Sequence, residues 1–145
     1  MQVEVNYLAI SLAAASSMVV GAIWYTPAVF GKQWQKLANV NPEKRMKQMN
    51  ASQIAVMYIS TFVASLLTAF ILAHVAYFSN HFFKDSFLQD SLTTGVWIWL
   101  GFTAARIFVH DTFEDRSRKL TLLTVGHEFV TIMVMALIIG AWGIK

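Results

Sequence analysis

Four long apolar stretches constrain the fold of this chain more than any other feature. They cover residues 3–25, 54–78, 91–110 and 120–142. Each is long enough for a helix to cross a ~30 Å hydrocarbon core, which takes ~20 residues. Because lipid forces each segment to satisfy its own backbone hydrogen bonds, we expect four transmembrane helices. The connections are short, so residues 1–145 are expected to form a single transmembrane domain, an all-α four-helix bundle.

The overall composition supports a membrane protein and excludes several enzyme classes. Hydrophobic residues make up 57% of the chain and charged residues 13%, whereas charged residues make up about a quarter of soluble domains. The chain has no cysteine, which excludes disulfides, thiol catalysis and thiolate metal sites. A nucleophile elbow, a glycine-rich phosphate loop and a dinucleotide fingerprint are also missing from the sequence.

Basic residues are concentrated in two of the three connections. The first connection contains Lys32, Lys36, Lys44, Arg45 and Lys47, the third contains Arg116, Arg118 and Lys119, and the second contains only Lys84. Since Lys and Arg are enriched in cytoplasmic loops, we expect the first and third connections inside and both termini outside. The net charge of +3 then indicates topology and attraction to anionic lipid, rather than nucleic-acid binding.

An aromatic motif marks the end of the first apolar stretch. It consists of Trp24, Tyr25, Pro27, Phe30, Gly31, Lys32 and Trp34. Aromatic rings are favoured at headgroup depth, and a proline ends a helix. Residues 28–38 have an apolar helical face, which predicts a short amphipathic helix on the cytoplasmic surface. Asn41 before Pro42 predicts another helix start.

Two parts of the sequence resemble a known family. The first is Asn6-Tyr7-Leu8-Ala9 with the aromatic motif, and the second is Phe113-Glu114-Asp115-Arg116-Ser117 with the later Gly140-Ala141-Trp142. Both are similar to the small bacterial membrane proteins of the "domain of unknown function 1761" family. The resemblance implies a four-span protein of the bacterial inner membrane with no assigned activity. His127 departs from the pattern, since an aromatic residue is expected after the glycine at position 126.

Small and polar side chains recur along the predicted spans. Ala9, Ala13, Ser17 and Gly21 follow each other every fourth residue, which predicts the face on which the first helix packs closely. The polar set comprises Thr103, Arg106, His110, Thr124, His127 and Glu128. Since polar groups in lipid are costly unless they face protein or water, we expect this set to form a polar seam between the helices.

Arg106 and Glu128 are the two charged residues inside this seam. Their helices are joined by a short turn, and counting residues places both at a similar depth. We therefore expect them to interact, either as a structural ion pair or as part of a gate, proton relay or anion site.

A metal site is a less favoured interpretation of the nearby acidic and histidine residues. It would use His110, Asp111, Glu114, His127 and Glu128. Since the acids alternate with Arg116, Arg118 and Lys119, a solvated turn is the simpler interpretation, and we expect neither a metal nor a cofactor.

Three classes of function are compatible with these features. The favoured one is a small, oligomeric solute- or ion-binding or transport component, because four short helices enclose little volume alone. The second is a structural or interaction subunit that binds anionic lipid or a protein partner. The third and least favoured is a membrane enzyme, since no catalytic motif is present.

Overall fold

The computed structural model describes residues 3–142, and these are almost entirely helical. The helices are α1 (Tyr7–Trp24), α2 (Gly31–Ala38), α3 (Pro42–Gln48), α4 (Ala51–Phe83), α5 (Phe87–Ile98), α6 (Ala105–Phe113) and α7 (Arg118–Trp142). A π-helical segment, Trp99–Ala104, joins α5 to α6. No strand occurs in residues 3–142, so the predicted all-α class is confirmed.

Four helical units are long and apolar enough to cross a membrane. They are α1, α4, the continuous unit Phe87–Phe113 and α7. The four predicted spans are therefore confirmed, although the last three units extend beyond the apolar stretches. The 33 residues of α4 correspond to roughly 50 Å, which exceeds a ~30 Å hydrocarbon core.

The four units form a ring. Helix α1 packs against α4 and α7, and α5 packs against the same two helices. At one end of the bundle α1 and α6 stop and α4 and α7 begin. We call this end the basic end, because it contains α2, α3 and their lysines.

The buried core lies in the half of the bundle away from the basic end. It combines Ile10, Ala13 and Ala14 of α1, Ala69, Leu72 and Ala73 of α4, and Ile132, Met135, Ala136 and Ile139 of α7. Several of these are alanines, which allow the helix backbones to approach closely. The helices are therefore closed on each other in that half, and the clefts described below lie toward the basic end.

The first connection folds into the two short helices α2 and α3. In α2, Trp34 and Leu37 are half-buried while Lys32 and Lys36 are exposed, so a short amphipathic helix is present as predicted, although it begins at Gly31 rather than at residue 28. Asn41 caps α3 by accepting a hydrogen bond from the Lys44 N–H at 2.9 Å.

Helix α3 does not continue into the membrane. The chain is extended at Met49, and α4 starts anew behind Asn50. Asn50 forms a capping box in which its side chain accepts from the Gln53 N–H and the Gln53 side chain accepts from the Asn50 N–H. This second cap was not predicted from the sequence, and it satisfies backbone donors that would otherwise lack partners.

The π-helical segment orients one tryptophan toward α7. The Trp99 indole donates a hydrogen bond to the Val125 carbonyl oxygen at 3.0 Å. Its ring also meets Phe129 edge-on, with ring centroids 4.8 Å apart. The widened turn thus connects the third span to the middle of the fourth, near the polar residues of α7.

Candidate functional site

A cleft of about 410 Å³ lies between α1, α4 and α7 in the half of the bundle toward the basic end. We call it the α1–α4–α7 cleft. Its polar lining consists of Ser17, Tyr25, Tyr58, Thr61, Ser65, His127, Glu128 and Thr131, with Met18, Gly21 and Ala22 completing the wall. Each of the three helices contributes hydroxyl or ionisable groups, so the cleft is a polar space between apolar membrane helices.

Small residues of α1 leave room for this cleft. A Cβ atom on Gly21 would lie 3.6 Å from His127 Nε2, so the backbone of α1 faces the imidazole directly. One helical turn deeper, the Ser17 and Ser65 hydroxyl oxygens lie 2.8 Å apart and link α1 to α4 by a hydrogen bond. Beyond this bond, Ala9 and Ala13 are buried in the core.

Glu128 and His127 provide the ionisable groups of the cleft. The Glu128 Oε1 atom lies 3.2 Å from His127 Nδ1, and the two side chains are 35% and 15% exposed respectively. Two further polar atoms, His127 Nε2 and Thr131 Oγ1, are buried without a hydrogen-bond partner. Such orphaned groups are rare in folded proteins, and here both belong to residues that line the cleft.

Aromatic rings pack around His127 at the end of the cleft that lies toward the basic end. Tyr25 contacts His127 with ring centroids 5.1 Å apart, and Trp24 approaches the same imidazole at 5.9 Å. Tyr25 also packs on Trp34 of α2 at 5.0 Å, and Trp24 packs on Phe30 at 4.5 Å. Of the aromatic motif, Tyr25 thus lines the cleft, and Trp34 packs on it from α2. Pro27 and Lys32 of the same motif are exposed.

The structure does not bring Arg106 and Glu128 together. No ion pair or hydrogen bond joins them in the described part of the chain, residues 3–142. Arg106 instead lines a second space of about 350 Å³ between α6 and α7, which we call the α6–α7 pocket. The pocket is lined by Arg106, Ile107, His110, Asp111, Arg116 and Thr124. The expected Arg106–Glu128 interaction is therefore not formed, and the single predicted seam is divided into two sites.

Thr103 and Thr124 have modest roles in this arrangement. Thr103 is half-buried within the π-helical segment. The Thr124 hydroxyl donates to the Leu120 carbonyl oxygen of its own helix at 3.0 Å.

Asp111 is buried, whereas a solvated turn would leave its carboxylate exposed. The Thr121 hydroxyl donates to its Oδ2 atom at 2.7 Å, and Arg116 Nη1 lies 3.4 Å from its Oδ1 atom. Possible metal-ligand atoms of His110, Asp111 and Glu114 lie within 4.8 Å of one another. Asp111 is already bound by Thr121 and Arg116, so the donor set of this cluster is partly used within the protein.

Tyr58 is one residue of the α1–α4–α7 cleft that was not predicted from the sequence. It lies on the first third of α4, where the helix is apolar on all sides and no periodic signal separates an inward face.

A sequence model of the family described as "Protein of unknown function (DUF1761)" matches residues 8–140. Neither a curated protein nor a solved structure matches the chain. The family match covers most of both segments on which the resemblance depended, including the aromatic motif and the turn that follows α6, while Asn6, Tyr7, Ala141 and Trp142 lie just outside it. With nearly the whole chain matched, this protein belongs to the DUF1761 family.

Proposed function

We propose that this protein binds a small organic cation in the α1–α4–α7 cleft, as a solute-binding or transport component of a membrane. The observation that carries this proposal is the position of Glu128. Its carboxylate lines a cleft between membrane helices, and within residues 3–142 its one hydrogen-bond or ion-pair partner is His127. A carboxylate with no Lys or Arg partner is costly at membrane depth, and a cationic ligand offsets that cost.

The rest of the cleft is suited to an organic cation. Its volume of about 410 Å³ lies within the ~300–1,000 Å³ range of small-molecule sites. Tyr25 and Tyr58 offer aromatic faces, on which cations bind within ~6 Å of a ring centroid. The hydroxyls of Thr61 and Thr131 add hydrogen-bonding groups that a protonated amine can use.

The position of the cleft within the bundle is compatible with a role in transport. The cleft lies toward the basic end, whereas the opposite half is filled by the alanine-rich core. We place the protein in the inner membrane of a bacterium with the basic end in the cytoplasm, as a homo-oligomer, because one four-helix unit encloses a small volume.

A structural or interaction subunit is the second candidate function. It is favoured by α2, which exposes Lys32 and Lys36 while Trp34 and Leu37 face the bundle. This arrangement suits a helix that holds anionic lipid or an acidic partner at the membrane surface. A membrane enzyme built on His110 and Glu114 is a distant third.

The proposal is tested with two ions of the same shape and opposite charge. Tetraphenylphosphonium and tetraphenylborate are titrated into the detergent-solubilised protein, and binding heats are measured by calorimetry. We expect the wild type to bind the cation at least about tenfold more tightly than the anion, a difference of ~1.4 kcal/mol. Glu128→Gln should abolish that preference, because it removes the charge while keeping the shape of the side chain.

Glu114→Gln is the matched control, since it makes the same chemical change on a side chain that is 52% exposed outside the cleft. Gly21→Leu adds bulk to the cleft wall without changing charge and should also weaken cation binding. Wild-type binding in both Glu128→Gln and Gly21→Leu would exclude the cleft as the site. Uptake of the cation into proteoliposomes, lost in Glu128→Gln, distinguishes a transport component from one that only binds.

A further inference from the structure

We propose that the α6–α7 pocket binds the phosphate group of an anionic lipid headgroup. The proposal concerns a site separate from the α1–α4–α7 cleft and is independent of what that cleft binds. The Arg106 guanidinium has no ion pair or hydrogen bond with any residue of the described range 3–142. A guanidinium has five donors, and in a membrane helix these are left without protein acceptors.

The position of Arg106 places its side chain at headgroup depth. Arg106 lies seven positions before Phe113, the last residue of α6, which corresponds to roughly 10 Å along the helix. Arginines this close to a helix end extend their long side chains toward the membrane surface. Residues of the surrounding face, Phe102 and Val109, are 78% and 45% exposed, as expected for side chains that contact acyl chains. The pocket is therefore accessible from the lipid.

The charges in the pocket favour an anion. Arg106 and Arg116 both line it, with His110 beside them, and Asp111 is its one carboxylate. Asp111 is held by the Thr121 hydroxyl at 2.7 Å and by Arg116 Nη1 at 3.4 Å, so it is already compensated. The remaining donors of Arg116 and all those of Arg106 are left for a ligand. Two planar guanidinium groups match the oxygens of a phosphate, which they bind in bidentate fashion.

A divalent cation is disfavoured at the same place. The cluster of His110, Asp111 and Glu114 has ligand atoms within 4.8 Å of one another. However, the Arg116 guanidinium occupies the Asp111 carboxylate, and Arg106 adds a second positive charge to the pocket. A metal ion at this cluster would have to displace the Arg116 guanidinium from Asp111 and lie close to the positively charged Arg106 guanidinium.

The experiment measures lipid binding by native mass spectrometry of the protein in a neutral detergent. Phosphatidylglycerol, phosphatidylcholine and sodium phosphate are added separately to the wild type, Arg106→Gln, Arg106→Lys and Arg118→Gln. Arg118 begins α7 and does not line the pocket, so its substitution removes one charge from the same end of the bundle. We expect Arg106→Gln to weaken phosphatidylglycerol binding about tenfold or more, and Arg118→Gln by less than about threefold.

Arg106→Lys tests whether the planar guanidinium is required, and it keeps the proposal testable if Arg106→Gln fails to fold. It keeps the charge but loses the planar fork, so we expect several-fold weaker phosphatidylglycerol binding at an unchanged melting temperature. Equal losses in the Arg106 and Arg118 variants would overturn the proposal in favour of diffuse attraction to the basic end. Wild-type affinity in Arg106→Lys would overturn the bidentate site. Binding of sodium phosphate that depends on Arg106, with no such dependence for lipid, would assign the pocket to free phosphate and overturn the lipid headgroup as its ligand.

Discussion

At the scale of single residues, Gly31 shows how tightly the chain turns after α1. Its N–H donates to the Thr26 carbonyl oxygen at 2.8 Å, and the Phe30 N–H donates to the Trp24 carbonyl oxygen at 3.1 Å. A Cβ atom at position 31 would collide with the Tyr25 carbonyl oxygen and come within 2.7 Å of the Thr26 carbonyl group. The glycine therefore permits the turn that sets α2 against α7, and with it the aromatic wall of the cleft.

We expect Gly31→Ala to destabilise the protein by ~1–3 kcal/mol, because the backbone atoms it would meet cannot move aside. The measurement is thermal unfolding in detergent, followed by circular dichroism. Gly101→Ala is the control, since nothing lies within 4 Å of the added atom there. If Gly31→Ala melts at the wild-type temperature, the turn is looser than this geometry indicates.

At the scale of helices, close approach occurs at two interfaces. The small-residue face of α1 was predicted from the sequence, and the structure adds a second close approach between α5 and α7. There, a Cβ on Gly95 would lie 3.1 Å from Ala136 Cβ, and one on Gly140 would lie 2.8 Å from Leu88 Cα. Both glycines belong to the closed half of the bundle, which holds the core together.

Gly140→Ala should force α5 and α7 apart and cost ~1–3 kcal/mol of unfolding free energy. The comparison is Gly126→Ala on the same helix, whose added atom would meet only the Trp24 ring at 3.5 Å, an ordinary contact distance. Unfolding of both variants by a denaturing detergent gives the free-energy difference. Equal stabilities for the two variants would contradict the proposed tight packing of α5 on α7.

At the scale of the whole molecule, the distribution of charge and packing is asymmetric along the bundle. The basic connections, the aromatic motif and both polar sites lie toward one end, and the alanine-rich core lies in the other half. This asymmetry is the basis for our proposal that the basic end faces the cytoplasm, where anionic lipid attracts Lys and Arg.

The orientation can be tested with cysteines, because the native chain has none. Gln48→Cys at the end of α3 and Asp85→Cys between α4 and α5 place single thiols at exposed positions of opposite ends. We expect an impermeant maleimide to label Asp85→Cys on intact bacteria and Gln48→Cys only after permeabilisation. Labelling of Gln48→Cys alone on intact cells would reverse the orientation.

Local signals in the sequence were sufficient for the spans, the short helix α2 and the Asn41 cap. Each of these depends only on residues close together in the sequence. A span needs enough consecutive apolar side chains to cross lipid, and α2 needs an apolar face over two turns. The Asn41 cap needs one side chain that accepts a hydrogen bond from an N–H two or three residues later. The contacts of Arg106 and Glu128 could not be derived in this way. Membrane helices such as α4 and α7 are apolar on nearly all sides, so periodicity does not reveal which face turns inward. The rotation of a helix about its axis depends on how its side chains fit against those of its neighbours. Only the tertiary packing of α7 against α1, α4 and α6 therefore decided that Glu128 lines the α1–α4–α7 cleft and Arg106 the α6–α7 pocket.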